Sequence, residues 1–304
     1  MITNALITGG SGLLALNWAL SLRDRLSVTL GLHEREISLV GVQSRQLVLD
    51  SPDQLLRTLA SIQPQVVVHT VGLTSVEECE AKPDLARYLN VELAVNVAKA
   101  CASLGLPLVH VSTDHLFDGK VESVDEGEPT RPCNVYGFTK AEAEIRVLEA
   151  HPQALVVRTN FYGWGPTYRR SFSDVIIDGL RSGRPLNLFQ DVFYTPVLIA
   201  AATKAVHELI ELKVSGIYHV VGDERISKYE FGLKVAKEFE LDASLIRAGR
   251  LADQVALVRR PYDMSLSNRK LCRLLGRNIG GVDDHIAALH QQEVSGLARE
   301  MRNL

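Results

Sequence analysis

The 304-residue chain contains no run of apolar residues as long as the roughly 20 needed to cross a bilayer as a helix. It also lacks a basic excess. The net charge of −3 leaves no electrostatic footprint for nucleic acid. Aromatic residues make up only 6% of the chain. The four cysteines, Cys79, Cys101, Cys133 and Cys272, are too scattered to match a metal or disulfide spacing, so buried thiols in a reducing compartment are expected. The opening "MITNALITGG" has neither a basic stretch nor a long apolar one, so no secretory signal is read there. There is no internal repeat and no low-complexity segment. What remains is 46% hydrophobic and 23% charged, the composition of a soluble globular protein. The expectation is a cytoplasmic protein with neither nucleic acid nor membrane as a partner.

Apolar runs alternate with helical patterns through the first half. "NALIT", "SVTLGL", "ISLVGV", "QVVVHTV", "PLVHVST" and "ALVVRTN" read as strands. The unbroken β-branched run in "QVVVHTV" suits a strand covered on both faces. Between them lie helical stretches, including a long one over "DLARYLNVELAVNVAKACASLG". This alternation predicts an α/β fold with a doubly wound, Rossmann-type parallel sheet. After about residue 161 the rhythm breaks. "YGWGPTYRRSF" reads as a long loop, followed by a helix, the strand "GIYHVVGD", a helix over 228–239, irregular segments and a C-terminal helix. The expected division is a dinucleotide-binding domain over 1–160, to which 192–222 returns. Residues 161–191 and 223–304 would form a smaller lobe.

"ITGGSGLLA" follows the first strand and opens the first helix. Gly9, Gly12 and Ala15 fit G-x-x-G-x-x-A, with Gly10 in addition. Glycines there allow a tight turn and close backbone approach to a pyrophosphate at the helix N-terminus. Gly9, Gly10, Ser11, Gly12 and Leu13 are therefore candidate cofactor contacts. After the second strand, Glu34 suits a ribose diol, whereas His33 and Arg35 suit the 2′-phosphate of NADPH. The balance favours NADPH, with NADH possible.

"PCNVYGFTKAEAE" places Tyr136 and Lys140 four residues apart at the start of a helix, and so on one face. An ammonium beside a phenol lowers its pKa, which would make a proton-transfer device.

The succession "VSTDHLFDG", "EGEPTRPCNVYGFTKAEAE" and "VVRTNFYGWG", together with the glycine turn, resembles the extended short-chain dehydrogenase/reductases. Within them it is most similar to the dTDP-4-dehydrorhamnose reductase family. The likeness is clear over residues 2–160 and weaker through "GIYHVVGD" and "RRPYDMSLSNRKL". It implies reduction of the 4-keto group of a nucleotide-linked 6-deoxy sugar. Tyr136 would be the proton donor, Lys140 would lower its pKa and bind the nicotinamide ribose, and Thr113 would polarise the carbonyl. Asp50 and the backbone at Thr70, Val71 and Gly72 would also meet the cofactor. Asn90 matches a helix asparagine that supports the fold. Asp114, His115, Asn160, Trp164 and Arg260 would face the substrate. Arg169 and Arg170 offer further cations for its phosphates, and Tyr168 and Phe172, beside Trp164, offer rings for its base. The departures lie mainly on the substrate side. His115 replaces a tyrosine, and Val192 and Val197 replace a glutamine and a threonine; on the cofactor side, His69 replaces an asparagine.

Two other readings stay open. One is a sugar-nucleotide epimerase or 4,6-dehydratase, although the Thr-Asp-Glu of dehydratases is here Thr113-Asp114-His115. The other is a non-catalytic dinucleotide-binding subunit like that which regulates methionine adenosyltransferase. The helices over 84–103 and 138–150 match those that form an intersubunit bundle in many superfamily members, so a homodimer is expected.

Overall fold

The computed structural model describes residues 2–254 and 256–304. Six strands come from the first half: β1 (Asn4–Thr8), β2 (Ser27–Leu32), β3 (Gln43–Gln46), β4 (Val66–His69), β5 (Leu108–Val111) and β6 (Leu155–Arg158). With the Gly216–His219 strand they form a seven-stranded sheet in the order β3-β2-β1-β4-β5-β6-(Gly216–His219). Every pairing in it is parallel. The chain direction across the sheet reverses between β1 and β4. In such sheets that switch point, at the carboxyl ends of the strands, is where ligands bind.

Parallel strands need covering on both faces, and the side chains provide for it. Ala5, Ile7, Val66, Val68 and Val109 pack beneath α1 (Leu13–Leu22) and α8 (Ile199–Glu211). Leu6, Val67 and Leu108 pack on the other face against α2 (Pro52–Ile62), α5 (Leu93–Ser103) and α6 (Val135–Ala150). Val66, Val67 and Val68 are fully buried, each stabilising the fold by roughly 1.5–3 kcal/mol.

Four expectations change. "ISLVGV" is not a strand. Ile37 and Leu39 plug the core, Gly41 turns the chain at φ +76°, and the strand forms one segment later over Gln43–Gln46. The long helix is preceded by α3 (Val76–Ala81) and is itself broken into α4 (Pro83–Arg87), a π-turn over Tyr88–Glu92, and α5. Loop 163–171 gives way to α7 (Phe172–Arg181). Only Cys79 and Cys101 are buried; Cys133 and Cys272 are partly exposed.

The remaining elements lie in the second half. Leu186–Phe189 pairs in parallel with Ile246–Gly249, and α7, α9 (Lys228–Glu238) and α11 (Val282–Val294) pack together around Phe231 and Leu289. Helices α10 (Arg269–Leu275) and α12 (Leu297–Arg302) complete the fold. Among the described residues no helix is long and apolar enough to cross a membrane.

Candidate active site

A cleft of about 820 Å³ opens at the carboxyl ends of β1, β2, β4, β5 and β6. Gly9, Gly10, Ser11, Gly12 and Leu13 form one wall. Gly9 has φ +72°, and a Cβ there would lie 3.0 Å from Thr70 Oγ1; a Cβ on Gly10 would lie 2.7 Å from that of Leu30. The turn is thus pressed onto β2 and β4, with Gly10 N–H donating to Gly31 O at 2.9 Å. Helix α1 begins after Gly12 with no side-chain cap and no acidic residue in its first turn. Its first amides are left for an anion, as a dinucleotide pyrophosphate requires.

The cleft continues past His33, Asp50, Thr70, Val71 and Gly72. Thr70 Oγ1 donates to Thr8 O at 2.7 Å, and Asp50 accepts from the Tyr88 hydroxyl at 3.2 Å. Arg35 is exposed and lies 3.9 Å above the Tyr168 ring, whose hydroxyl donates to Ser11 O at 3.0 Å. Asn90, fully buried in the π-turn, accepts from Leu73 N–H at 2.7 Å and donates to Leu73 O and Thr139 Oγ1. A Cβ on Gly72 would lie 2.9 Å from Asn90 Oδ1, so this asparagine fixes the β4 loop along the cleft.

Thr113, Tyr136 and Lys140 converge on the same cleft, and all three are buried. Helix α6 starts at Val135, with Asn134 capping it by accepting from Gly137 N–H at 2.9 Å. Tyr136 and Lys140 therefore do share a helix face. Gly137 stands between them because a Cβ there would lie 2.4 Å from His115 O; the helix must approach that closely. Lys140 Nζ donates to Val111 O at 2.7 Å.

The expected depression of the Tyr136 pKa is not found. Burial pushes the phenol up, the Thr113 hydroxyl offsets this in part, and Asp114 and Cys79 add to the rise. Lys140 instead acts on His69 and His110 beneath it. Its own pKa falls to about 8 through burial, with Glu144 opposing. Glu144 is held by Arg158 at 2.7 Å in a buried ion pair.

On the substrate side, Asp114, His115 and Asn160 line the cleft. The Asn160 amide donates to Asp114 Oδ2. The His115 ring meets Tyr136 edge-on, with centroids 5.5 Å apart. Arg260 pairs with Glu77 outside the lining of the main cleft, and Asn134 Nδ2 donates to the neighbouring Arg259 O at 3.0 Å.

Trp164 does not reach the site. It is fully buried, donates to Leu289 O at 3.0 Å and packs edge-on to Phe239, because the apolar interior of the second half claims its ring. Phe172 likewise stacks on Phe231. Loop 163–171 serves the glycine-turn side. Tyr168 donates to Ser11 O, Arg169 donates to Thr74 Oγ1 at 3.0 Å, and Arg169 and Arg170 line the cleft. Sequence reasoning missed the His69–His110 stack and the Glu144–Arg158 pair. The β-branched context of "VVVHT" and "LVHVS" signals only that both histidines are buried.

A dinucleotide-type glycine turn at the switch point, with Thr113 just past the end of β5 and Tyr136 and Lys140 on α6, defines an extended short-chain dehydrogenase/reductase. More particularly, the chain belongs to the RmlD substrate binding domain family, whose profile matches residues 3–293. It is 28% identical to the probable low-salt glycan biosynthesis reductase Agl14 of Haloferax volcanii, over 94% of this chain and 96% of that one. It is 32% identical to methionine adenosyltransferase 2 subunit beta of Pongo abelii, over 69% of this chain and 64% of that one. A hypothetical dTDP-4-dehydrorhamnose reductase from Sulfolobus tokodaii superposes with TM-score 0.80 at 28% identity, covering 91% of this chain and 97% of that one. The dTDP-4-dehydrorhamnose reductase of Bacillus anthracis, solved in complex with NADP, shares the fold with TM-score 0.84 at 24% identity, over 96% and 100%.

Proposed function

We propose that this chain is an NADPH-dependent oxidoreductase that reduces the 4-keto group of a nucleotide-linked 6-deoxy sugar. The observation that carries the reading is the convergence of Thr113, Tyr136 and Lys140 on the cleft that the glycine turn lines. Membership of the RmlD family and the NADP-bound fold neighbour support it. The cradle of Gly9, Gly10 and Gly12 before an uncapped helix fits a dinucleotide pyrophosphate. His33, which lines the cleft, and Arg35, exposed beside Tyr168, suit a 2′-phosphate. When bound, the nicotinamide supplies a hydride to the carbonyl carbon.

The protein's part is to hold the carbonyl oxygen and protonate it. Tyr136, with its pKa raised by burial, stays protonated throughout the neutral range and is the acid. Thr113 donates a second hydrogen bond to the oxygen on which charge develops. Lys140 brings a buried positive charge to the same end of the cleft and is the donor for the nicotinamide ribose. Asp114 and Asn160 fix the wall on which the sugar rests. The protein works as a soluble cytoplasmic homodimer.

The test is NADPH oxidation by the purified chain with dTDP-4-dehydrorhamnose, alongside fluorescence titration with NADPH and NADH. Turnover and tighter binding of NADPH are expected. Tight NADPH binding without turnover of dTDP- or UDP-linked keto sugars would place the chain with the regulatory subunits instead.

A further inference from the structure

Loop 163–171 comes from the second half of the chain, yet it is fastened against the glycine turn of the first. Its base is fixed on two sides. Buried Asp174 accepts from Gly165 N–H at 2.8 Å and from Ser171 N–H at 2.9 Å, and Asn17 of α1 donates to Trp164 O at 2.8 Å. A Cβ on Gly165 would collide with Arg169 O, so the loop closes tightly on itself. Arg169 N–H donates to Pro166 O at 3.0 Å and completes a turn around Thr167 and Tyr168. Tyr168 is thereby carried to the glycine turn, where its hydroxyl donates to Ser11 O at 3.0 Å.

The face of the Tyr168 ring is occupied as well. The Arg35 guanidinium lies over it, 3.9 Å from the ring centre. Among the described residues Arg35 forms no ion pair; the neighbouring carboxylate, Glu34, lies 3.9 Å from His33 instead. Stacking uses the flat face of a guanidinium and leaves its in-plane N–H groups free to donate. A phosphate takes two such bonds in parallel. An exposed arginine otherwise samples many rotamers, and a ligand that requires one of them loses affinity to the ordering of that side chain. A ring held by its own loop and by Ser11 supplies that order before any ligand arrives.

We propose that Tyr168 is a positioning residue for cofactor choice: it seats the Arg35 guanidinium beside the glycine turn, so that the 2′-phosphate of NADPH meets a fork already in place. The inference rests on the NADPH reading above and adds to it a residue of the second half, whose ring works for the cofactor and not for the substrate base. The competing role is a plain cover over the glycine turn, in which Tyr168 would serve NADPH and NADH alike. The two cofactors differ only in the 2′-phosphate, so their affinity ratio separates the roles.

The experiment is fluorescence titration of NADPH and of NADH into the wild-type protein, Tyr168→Leu, Tyr168→Phe, Arg35→Ala and the variant carrying both Tyr168→Leu and Arg35→Ala. NADH binding is the control for an intact fold. In Tyr168→Leu the NADPH dissociation constant should rise about three- to tenfold, the scale of ordering one long side chain, while that of NADH stays where it was. Tyr168→Phe keeps a ring face and should lie closer to wild type. Arg35→Ala should lose more of the preference for NADPH, and adding Tyr168→Leu should then remove nothing further. Equal weakening of both cofactors in Tyr168→Leu, or no change in either, overturns the role of Tyr168 and leaves the NADPH reading standing. An undiminished preference in Arg35→Ala does the same, as does a further loss when Tyr168→Leu is added to it. A wild-type protein that binds NADH as tightly as NADPH overturns both.

Discussion

At the scale of single residues, Tyr136 and Lys140 make separable predictions. Tyr136→Phe removes the acid and almost no volume. Turnover should fall by about two orders of magnitude or more, with NADPH binding retained, as steady-state kinetics and titration would report. Unchanged turnover would remove Tyr136 from the mechanism. Lys140 has a pKa lowered to about 8 by burial, so it is charged below that pH and neutral above it. The rate should therefore decline as pH rises through about 8. Tyr136 contributes no limb there, because its pKa lies higher. A pH–rate profile flat from 7 to 9 would show that the Lys140 charge plays no part. The catalytic trio was legible in the sequence because its geometry is local: a helix start sets Tyr136 and Lys140 together, and Thr113 follows two residues after the end of β5. The contacts of Tyr168 and the true place of Trp164 were not legible. Both depend on partners far along the chain, Ser11 and Arg35 for one and Leu289 for the other.

The π-turn over Tyr88–Glu92 carries the clearest consequence at the scale of elements. An extra residue in one helical turn is uncommon and often marks a functional site. Here it presents Asn90, whose side chain serves both backbone groups of Leu73 and the Thr139 hydroxyl. Asn90→Leu keeps the volume but strands those groups in a buried place. Stability should fall by about 2–3 kcal/mol, measurable by urea unfolding. NADPH affinity should fall with it, because the Gly72 backbone loses its prop. A variant that unfolds at the wild-type midpoint would show that the bonds are dispensable. The central strands were legible because burial on both faces demands unbroken apolar runs. Strand β3 was not, since "QSRQ" is a mostly exposed edge held by backbone pairing with β2. The π-turn leaves no mark either, as its sequence remains an ordinary helical pattern.

For the molecule as a whole, the sheet carries a liability and the surface carries an opportunity. His69 and His110 stack at 5.6 Å between the sheet and α6, and His69 shares a 2.8 Å hydrogen bond with Thr8 Oγ1. Burial, reinforced by the Lys140 charge, lowers the His69 pKa to about 3. Its unfolded value is about 6.5, so below that pH the unfolded chain binds a proton that the folded one refuses. Stability should fall as pH drops from about 6.5 towards 3, by ~2 kcal/mol at pH 5 from this residue alone. Urea midpoints at pH 7 and pH 5 would measure it, and His69→Asn should flatten the slope; an unchanged slope would assign the acid sensitivity elsewhere. The surface opportunity lies on α6, where Phe138 and Ile145 are 57% and 58% exposed. They stand seven residues apart and so on one face. Arg87 and Arg146 flank it, both paired with Glu142. An apolar stripe with a charged border has the composition of a subunit interface, and a second copy of this helix is its natural cover. Light scattering at micromolar concentration should report a dimer, and Ile145→Arg should shift it to monomer while leaving the cleft, on the far side of the α6 backbone, able to bind NADPH. A wild-type monomer under those conditions would leave this stripe as plain exposed surface.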